Sequence, residues 1–207
     1  MIRLNTVRFV ALAVGLLAAG TAMAQEDEAV PASDTTVSYG DWSQHCMLVQ
    51  VQKQGEQTPG APQRICEVTQ TLNVQQEGGQ VQRLLTIAVG KLPDSDNQRI
   101  VVQTPSNVAL RAGVKMTLSD EPPAAPSKGG AVSADEAAAE GTDILLTYLT
   151  CAQVCVAEKE LSGAQVEALK QTVSASVTFD MTSGQTLSVP LSMKGFKAAL
   201  SAAPPVN

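Results

Sequence analysis

The sequence predicts a mainly β protein, an antiparallel β-sandwich carrying one or two short helices. Three observations predict it. Apolar residues recur with a period of two over most of the chain, Gly- and Asp-rich turn signals separate these runs at regular spacing, and only two short segments carry a helical period. Cys66, Val68, Leu72 and Val74 share a parity opposed by Glu67, Thr69, Thr71 and Asn73. Leu85, Ile87 and Val89 follow, then Val114, Met116 and Leu118, then Val177, Phe179 and Met181, then Leu187, Val189 and Leu191. With a first strand around His45, roughly eight short strands result, the number that suits a sandwich. Ile144-Leu145-Leu146 through Leu149 is continuous enough to predict a central strand buried on both faces.

Turn punctuation falls between these runs. Glu77-Gly78-Gly79, Pro93 to Asn97, Ala112-Gly113 and Thr182-Ser183-Gly184 all supply residues suited to tight turns. Ser162-Gly163-Ala164-Gln165 is a capping box, with Leu161 and Val166 placed for a hydrophobic staple. Val166, Leu169 and Val173 then share one face of the helix it starts. A second helix is expected from Ser192 to about Leu200, with Phe196 and Leu200 four apart.

The ends of the chain and one interior stretch read differently. Residues 1–24 have the pattern of a secretory signal: Arg3 and Arg8, an apolar run from Phe9 to Ala19, and Ala22-Met23-Ala24 before Gln25. The apolar run is short for a membrane span, which needs about 20 residues. The expected location is therefore the periplasm, with outer-membrane association or secretion as variants, and with no stable membrane span. Residues 25–35 form an acidic leader, and residues 120–143 a loop rich in Pro, Ala, Gly and acids. The sandwich domain is expected at 36–200 and a tail at 201–207.

The net charge of the 207-residue chain is −6, and the two low-complexity segments carry more than all of it. The folded part is thus close to neutral, which gives no basic footprint for nucleic acid. With a single His, sites that need two imidazoles are excluded. No G-x-x-x-x-G-K-[ST] or G-x-G-x-x-G pattern occurs, so nucleotide cradling has no support.

Cys46, Cys66, Cys151 and Cys155 all lie beyond the signal. In an oxidising compartment an even count reads as disulfides, with three possible pairings. Proximity in sequence favours Cys46–Cys66 and Cys151–Cys155. A crossed pairing would instead pin distant strands together. The alternative for Cys151 and Cys155 is a thiol-redox or Cu(I) pair, since soft sulfur suits Cu(I). Neither a helix N-terminus nor a nearby cation is expected there to lower a thiol pKa, which favours the structural disulfide. His45 reads as a polar side chain beside a disulfide. Tyr39 and Trp42 form a candidate binding patch, with a core position for Trp42 as the competing reading. No catalytic group, metal ligand set or cofactor site is predicted.

Five sequence pieces in order resemble the invasion-associated locus B family: Tyr39-Gly40-Asp41-Trp42 with Cys46, Cys66-Glu67-Val68-Thr69-Gln70, Leu110-Arg111-Ala112-Gly113-Val114, Tyr148-Leu149-Thr150-Cys151 with Cys155, and Leu191 to Phe196 as Leu-Ser-x-x-Gly-Phe. The pieces span residues 39–200. The fourth family Cys is usually preceded by Gly, where this chain has Val154. The resemblance implies an exported immunoglobulin-like β-sandwich without a catalytic constellation, acting by binding an envelope or host protein, in some relatives during host-cell entry.

Overall fold

The computed structural model describes residues 34–50, 61–75, 78–93, 95–121 and 142–203. The expected signal (1–24), most of the leader and the interior of the 120–143 loop lie outside these residues. The strands are β1 (Asp34–Tyr39), β2 (Trp42–Gln50), β3 (Pro62–Gln75), β4 (Val81–Lys91), β5 (Gln98–Pro105), β6 (Val114–Ser119), β7 (Thr142–Cys151), β8 (Val154–Glu160), β9 (Ser174–Asp180) and β10 (Thr186–Ser192). Helix α1 is Gly163–Gln171 and α2 is Phe196–Ala202.

All pairings are antiparallel, and the strand order is β1-β2-β3-β4-β5-β8-β7-β6-β9-β10. The immunoglobulin-like sandwich is met in its coarser terms: mainly β, antiparallel, with two short helices. The strands form one curled sheet of ten rather than two separate sheets. The reason lies in β7, which changes neighbour along its length. Its first half, Thr142 to Leu146, pairs with β6, and its second half, Thr147 to Cys151, pairs with β8 across an irregularity at Tyr148/Thr150. An irregular register bends and twists a strand, so β7 is the corner where the sheet turns on itself.

One face of the sheet supplies the core. Val68, Ile87, Ile100, Val102, Cys155, Ala157, Val177 and Ala199 are fully enclosed, joined by Trp42, Leu85, Phe179 and Phe196. The period-two pattern accounts for this directly, because successive side chains alternate between faces. β7 obeys the same rule and corrects the expectation of a strand buried on both sides. Ile144 and Leu146 are buried, whereas Leu145 is 65% and Leu149 63% exposed. Ile144→Ala should therefore cost about 2–5 kcal/mol in denaturant unfolding. Leu145→Ser should change stability by no more than about 0.5 kcal/mol. Equal losses would place both faces of β7 in the core.

The capping box at α1 is formed as the sequence predicts. Gln165 N–H donates to Ser162 Oγ, and Ser162 N–H donates to Gln165 Oε1. Val166 and Leu169 are buried, but the helix ends at Gln171 and Val173 is half exposed, so it leaves the predicted apolar face. Ser192 to Gly195 do not belong to α2. Ser192 completes β10, and the helix starts at Phe196 after Gly195 adopts a left-handed conformation. Other boundaries shift by short distances: Asp34 and Thr35 open β1 rather than closing a leader, Thr142 and Asp143 belong to β7, and Ser201 and Ala202 finish α2.

Candidate functional site

The first turn and the last strand meet at one corner of the sheet. Gly40 and Asp41 join β1 to β2, and Met193, Lys194 and Gly195 join β10 to α2. Asp41 N–H donates to Lys194 O at 3.1 Å. Both glycines have positive φ, 61° at Gly40 and 91° at Gly195, a conformation that side chains disfavour. Their backbones also need the space. A Cβ on Gly195 would overlap Tyr39 O, and one on Gly40 would lie 2.7 Å from Lys194 O. The two glycines let two chain segments, distant in sequence, pack backbone to backbone.

Side chains fasten the same corner. Trp42 is 1% exposed, stacks edge-to-face on Phe196 with ring centroids 4.7 Å apart, and donates Nε1–H to Ser192 O at 2.7 Å. Gln70 donates Nε2–H to Asp41 O and to Ser192 O, each at 3.2 Å. Ser192 Oγ–H donates to Asp41 Oδ2 at 2.5 Å, and Gln44 Nε2–H donates to Ala199 O at 3.0 Å. The indole and Gln70 thus converge on a single carbonyl. Buried carbonyls left without donors cost about 1–3 kcal/mol each, so these contacts are a stabilising unit.

This placement removes Trp42 from the candidate binding patch: it is enclosed, and its partner is Phe196. Tyr39 is partly buried against the core and offers no aromatic platform with it. A third turn repeats the device. Gly113, at φ 72°, opens β6, and a Cβ there would lie 2.6 Å from Leu146 O.

Cys46 faces Cys66 across β2 and β3, and Cys151 faces Cys155 across β7 and β8, each pair as a disulfide. These are the pairings that sequence proximity favours. The first staple ties β2 to β3 beneath the corner. The second closes the hairpin at Ala152-Gln153, where Val154 opens β8. Cys155 is fully buried and Cys151 is exposed.

His45 lies on the outer face of β2. Its Nε2 is 2.8 Å from Asp34 Oδ1, and its Nδ1 is 3.8 Å from Glu67 Oε1. A concavity of about 150 Å³ adjoins it, floored by Met47, Ile65, Ala88 and Val101 and notched at Gly90. Arg99 at its rim is paired with Glu158 at 2.5 Å. Burial pushes the Tyr148 hydroxyl above its ordinary pKa, against the Thr104 hydrogen bond that lowers it. Tyr148 therefore stays protonated and cannot act as a base at neutral pH. Among the described residues no group of three or more His, Cys, Asp or Glu is placed to hold a metal ion, and no nucleophile is hydrogen-bonded to His45.

Gln44 is the junction residue that sequence reasoning missed, and Gln70, visible only as part of a family-like motif, was given no role there. Each occupies a core-facing parity within an apolar run: Gln70 between Val68 and Leu72, Gln44 between Trp42 and Cys46. A lone amide in such a position is the available signal, because a buried polar group needs a partner.

These features define a class: an antiparallel β protein whose first turn and last strand are locked together around a buried Trp, with two cross-strand disulfides. The model of the Invasion associated locus B (IalB) protein family matches residues 42–128 and 131–204, and the chain belongs to that family. The fold is similar to that in the crystal structure of invasion associated protein b from Bartonella henselae. The two share 15% sequence identity with a TM-score of 0.50, over 81% of this chain and 92% of that one. No curated protein matches the sequence.

Proposed function

We propose that this protein is an exported, non-enzymatic binding module of the bacterial envelope, acting on another protein, with host interaction as one use of that binding. The observation that carries the reading is where the family-like motif residues go. Tyr39 to Trp42, Gln70, Gly113 and Ser192 to Phe196 are used in backbone approach, hydrogen bonds to carbonyls and ring packing. Of the family-like motif residues only Cys66, held in its disulfide, and Glu67 line the Gly90 concavity. Export is supported by the signal-like residues 1–24 and by the two cross-strand cystines. In vivo crosslinking of the exported protein, read by mass spectrometry, tests the proposal. Reproducible capture of one envelope or host protein supports it, and turnover of a small molecule by the purified chain counts against it.

A second reading, thiol-redox or copper handling at Cys151 and Cys155, is favoured by the exposure of Cys151 at a hairpin end. The binding reading expects no free thiol in the native protein. It expects reduction to cost about 3 kcal/mol for Cys46–Cys66 and about 2 for Cys151–Cys155. Cys151 and Cys155 replaced together by Ala should lower stability and leave partner capture intact. Lost function at unchanged stability, or a tight Cu(I) complex that needs both sulfurs, would establish the redox or copper reading instead.

A further inference from the structure

The ten-stranded sheet has two edges, and they are guarded differently. On β10, Pro190 has no N–H to offer, and Ser192 O is already taken by Trp42 and Gln70. On β1, Asp34-Thr35-Thr36-Val37-Ser38-Tyr39 contains no Pro, Gly or Lys, and its register with β2 runs without a bulge. Natural edge strands commonly carry one of those protections, because a bare edge is a template for another strand. Among the described residues nothing pairs with the outer edge of β1.

The direction of the backbone groups follows from the adjoining pair. Cys46 and Cys66 stand directly opposite with Cα atoms 4.0 Å apart, the narrow spacing of a non-hydrogen-bonded pair. Cys46 therefore turns its N–H and C=O toward Thr35 on β1. By alternation Val37 bonds inward to Gln44, while Thr36 and Ser38 turn their N–H and C=O outward. Val37 shares the face of Trp42, Gln44 and Cys46, yet it is 47% exposed. It is an apolar side chain at the open margin of the core.

We propose that the outer edge of β1 pairs antiparallel with β1 of a second copy, about a two-fold axis at Val37. This register satisfies every constraint at once. Val37 faces the partner's Val37 in a narrow pair and covers it. Thr36 faces the partner's Ser38, and the outward groups of both meet as a hydrogen-bonded pair. Both cores stay on the same side of the joined sheet, because the paired residues have equal parity. Asp34 falls opposite the partner's Gly40, over which the partner's Lys194 lies. Asp34 and Lys194 are both exposed, and the pairing brings their opposite charges together. A shift by one residue would break the parity and put the cores on opposite faces.

Sedimentation velocity on the full chain, from micromolar to near-millimolar concentration, tests this together with four variants. The expected result is a concentration-dependent monomer–dimer equilibrium. Thr36→Pro removes an outward N–H, and Val37→Lys sets like charges on the axis. Each should weaken dimerisation by about tenfold or more, with the thermal midpoint little changed. Val37→Cys should form a covalent dimer on oxidation, whereas Val81→Cys, more exposed but on the β4 hairpin end, should not. The Val37→Cys arm is independent of whether Thr36→Pro or Val37→Lys folds. A chain that stays monomeric and uncrosslinked overturns the proposal, whether its edge is free or taken by a strand of a different protein. So does a dimer indifferent to Thr36→Pro and Val37→Lys that Val37→Cys does not crosslink.

Discussion

Gly195→Ala is expected to destabilise the protein by about 2–6 kcal/mol, measured as a shift in denaturant midpoint. Two costs combine. A non-Gly residue held at φ 91° costs about 1–3 kcal/mol. Overpacking adds about 1–3 more, because the new Cβ meets the rigid Tyr39 carbonyl and the Gly40 backbone, not a side chain that could rotate away. Gly184→Ala separates the two. Gly184 has a similar φ of 86°, but open space surrounds its Cβ position. It should show the conformational cost alone, about 1–3 kcal/mol. If the two substitutions cost the same, the close approach of the first turn to the last strand is not what Gly195 provides.

Trp42→Ala is expected to cost about 4–6 kcal/mol. Truncating a buried Trp costs about 3–5, and the loss of the indole donor to Ser192 O adds about 1. Domains of this size are stable by about 5–15 kcal/mol, so the variant should lose a large share of its stability and unfold at a much lower urea concentration. Trp42→Phe keeps a ring against Phe196 and loses the hydrogen bond. It should retain the fold at a cost of about 1–2 kcal/mol. Circular dichroism during urea titration reports both variants without relying on Trp fluorescence.

The strands were legible because burial on one face writes a period-two pattern into the sequence. The capping box was legible because Ser162 and Gln165 are a local chemical unit. What escaped was set by long-range pairing. The double burial expected for Ile144 to Leu149 rested on an unbroken apolar run. In the structure Leu145 and Leu149 point outward, and the run alone does not say so. The division of β7 between β6 and β8 depends on how strands far apart in sequence compete for one partner, and that turns an expected pair of sheets into one curled sheet.

The candidate site was legible in its residues and not in its arrangement. Tyr39-Gly40-Asp41-Trp42 and Leu191 to Phe196 were both visible as motifs, yet nothing in either says that it touches the other. Their meeting is a backbone contact between residues more than 150 positions apart, in which Asp41 N–H donates to Lys194 O. The nearness of two aromatics in sequence left both a recognition patch and a core Trp42 open. Enclosure of Trp42 against Phe196 meets the core reading. The four cysteines were the easiest to read, because cross-strand neighbours in the sheet are also the neighbours in sequence.

The residues of the first turn, Gln70 and the β10–α2 turn form one cooperative junction whose work is structural. A double-mutant cycle on Trp42→Phe and Gln70→Leu tests it most directly, because both side chains donate to Ser192 O. The account predicts that the losses are non-additive in urea unfolding by more than about 0.5 kcal/mol, while capture of the protein partner by the folded double variant is unchanged. Losses that add to within about 0.3 kcal/mol, or partner capture abolished in a variant that remains folded, would contradict it.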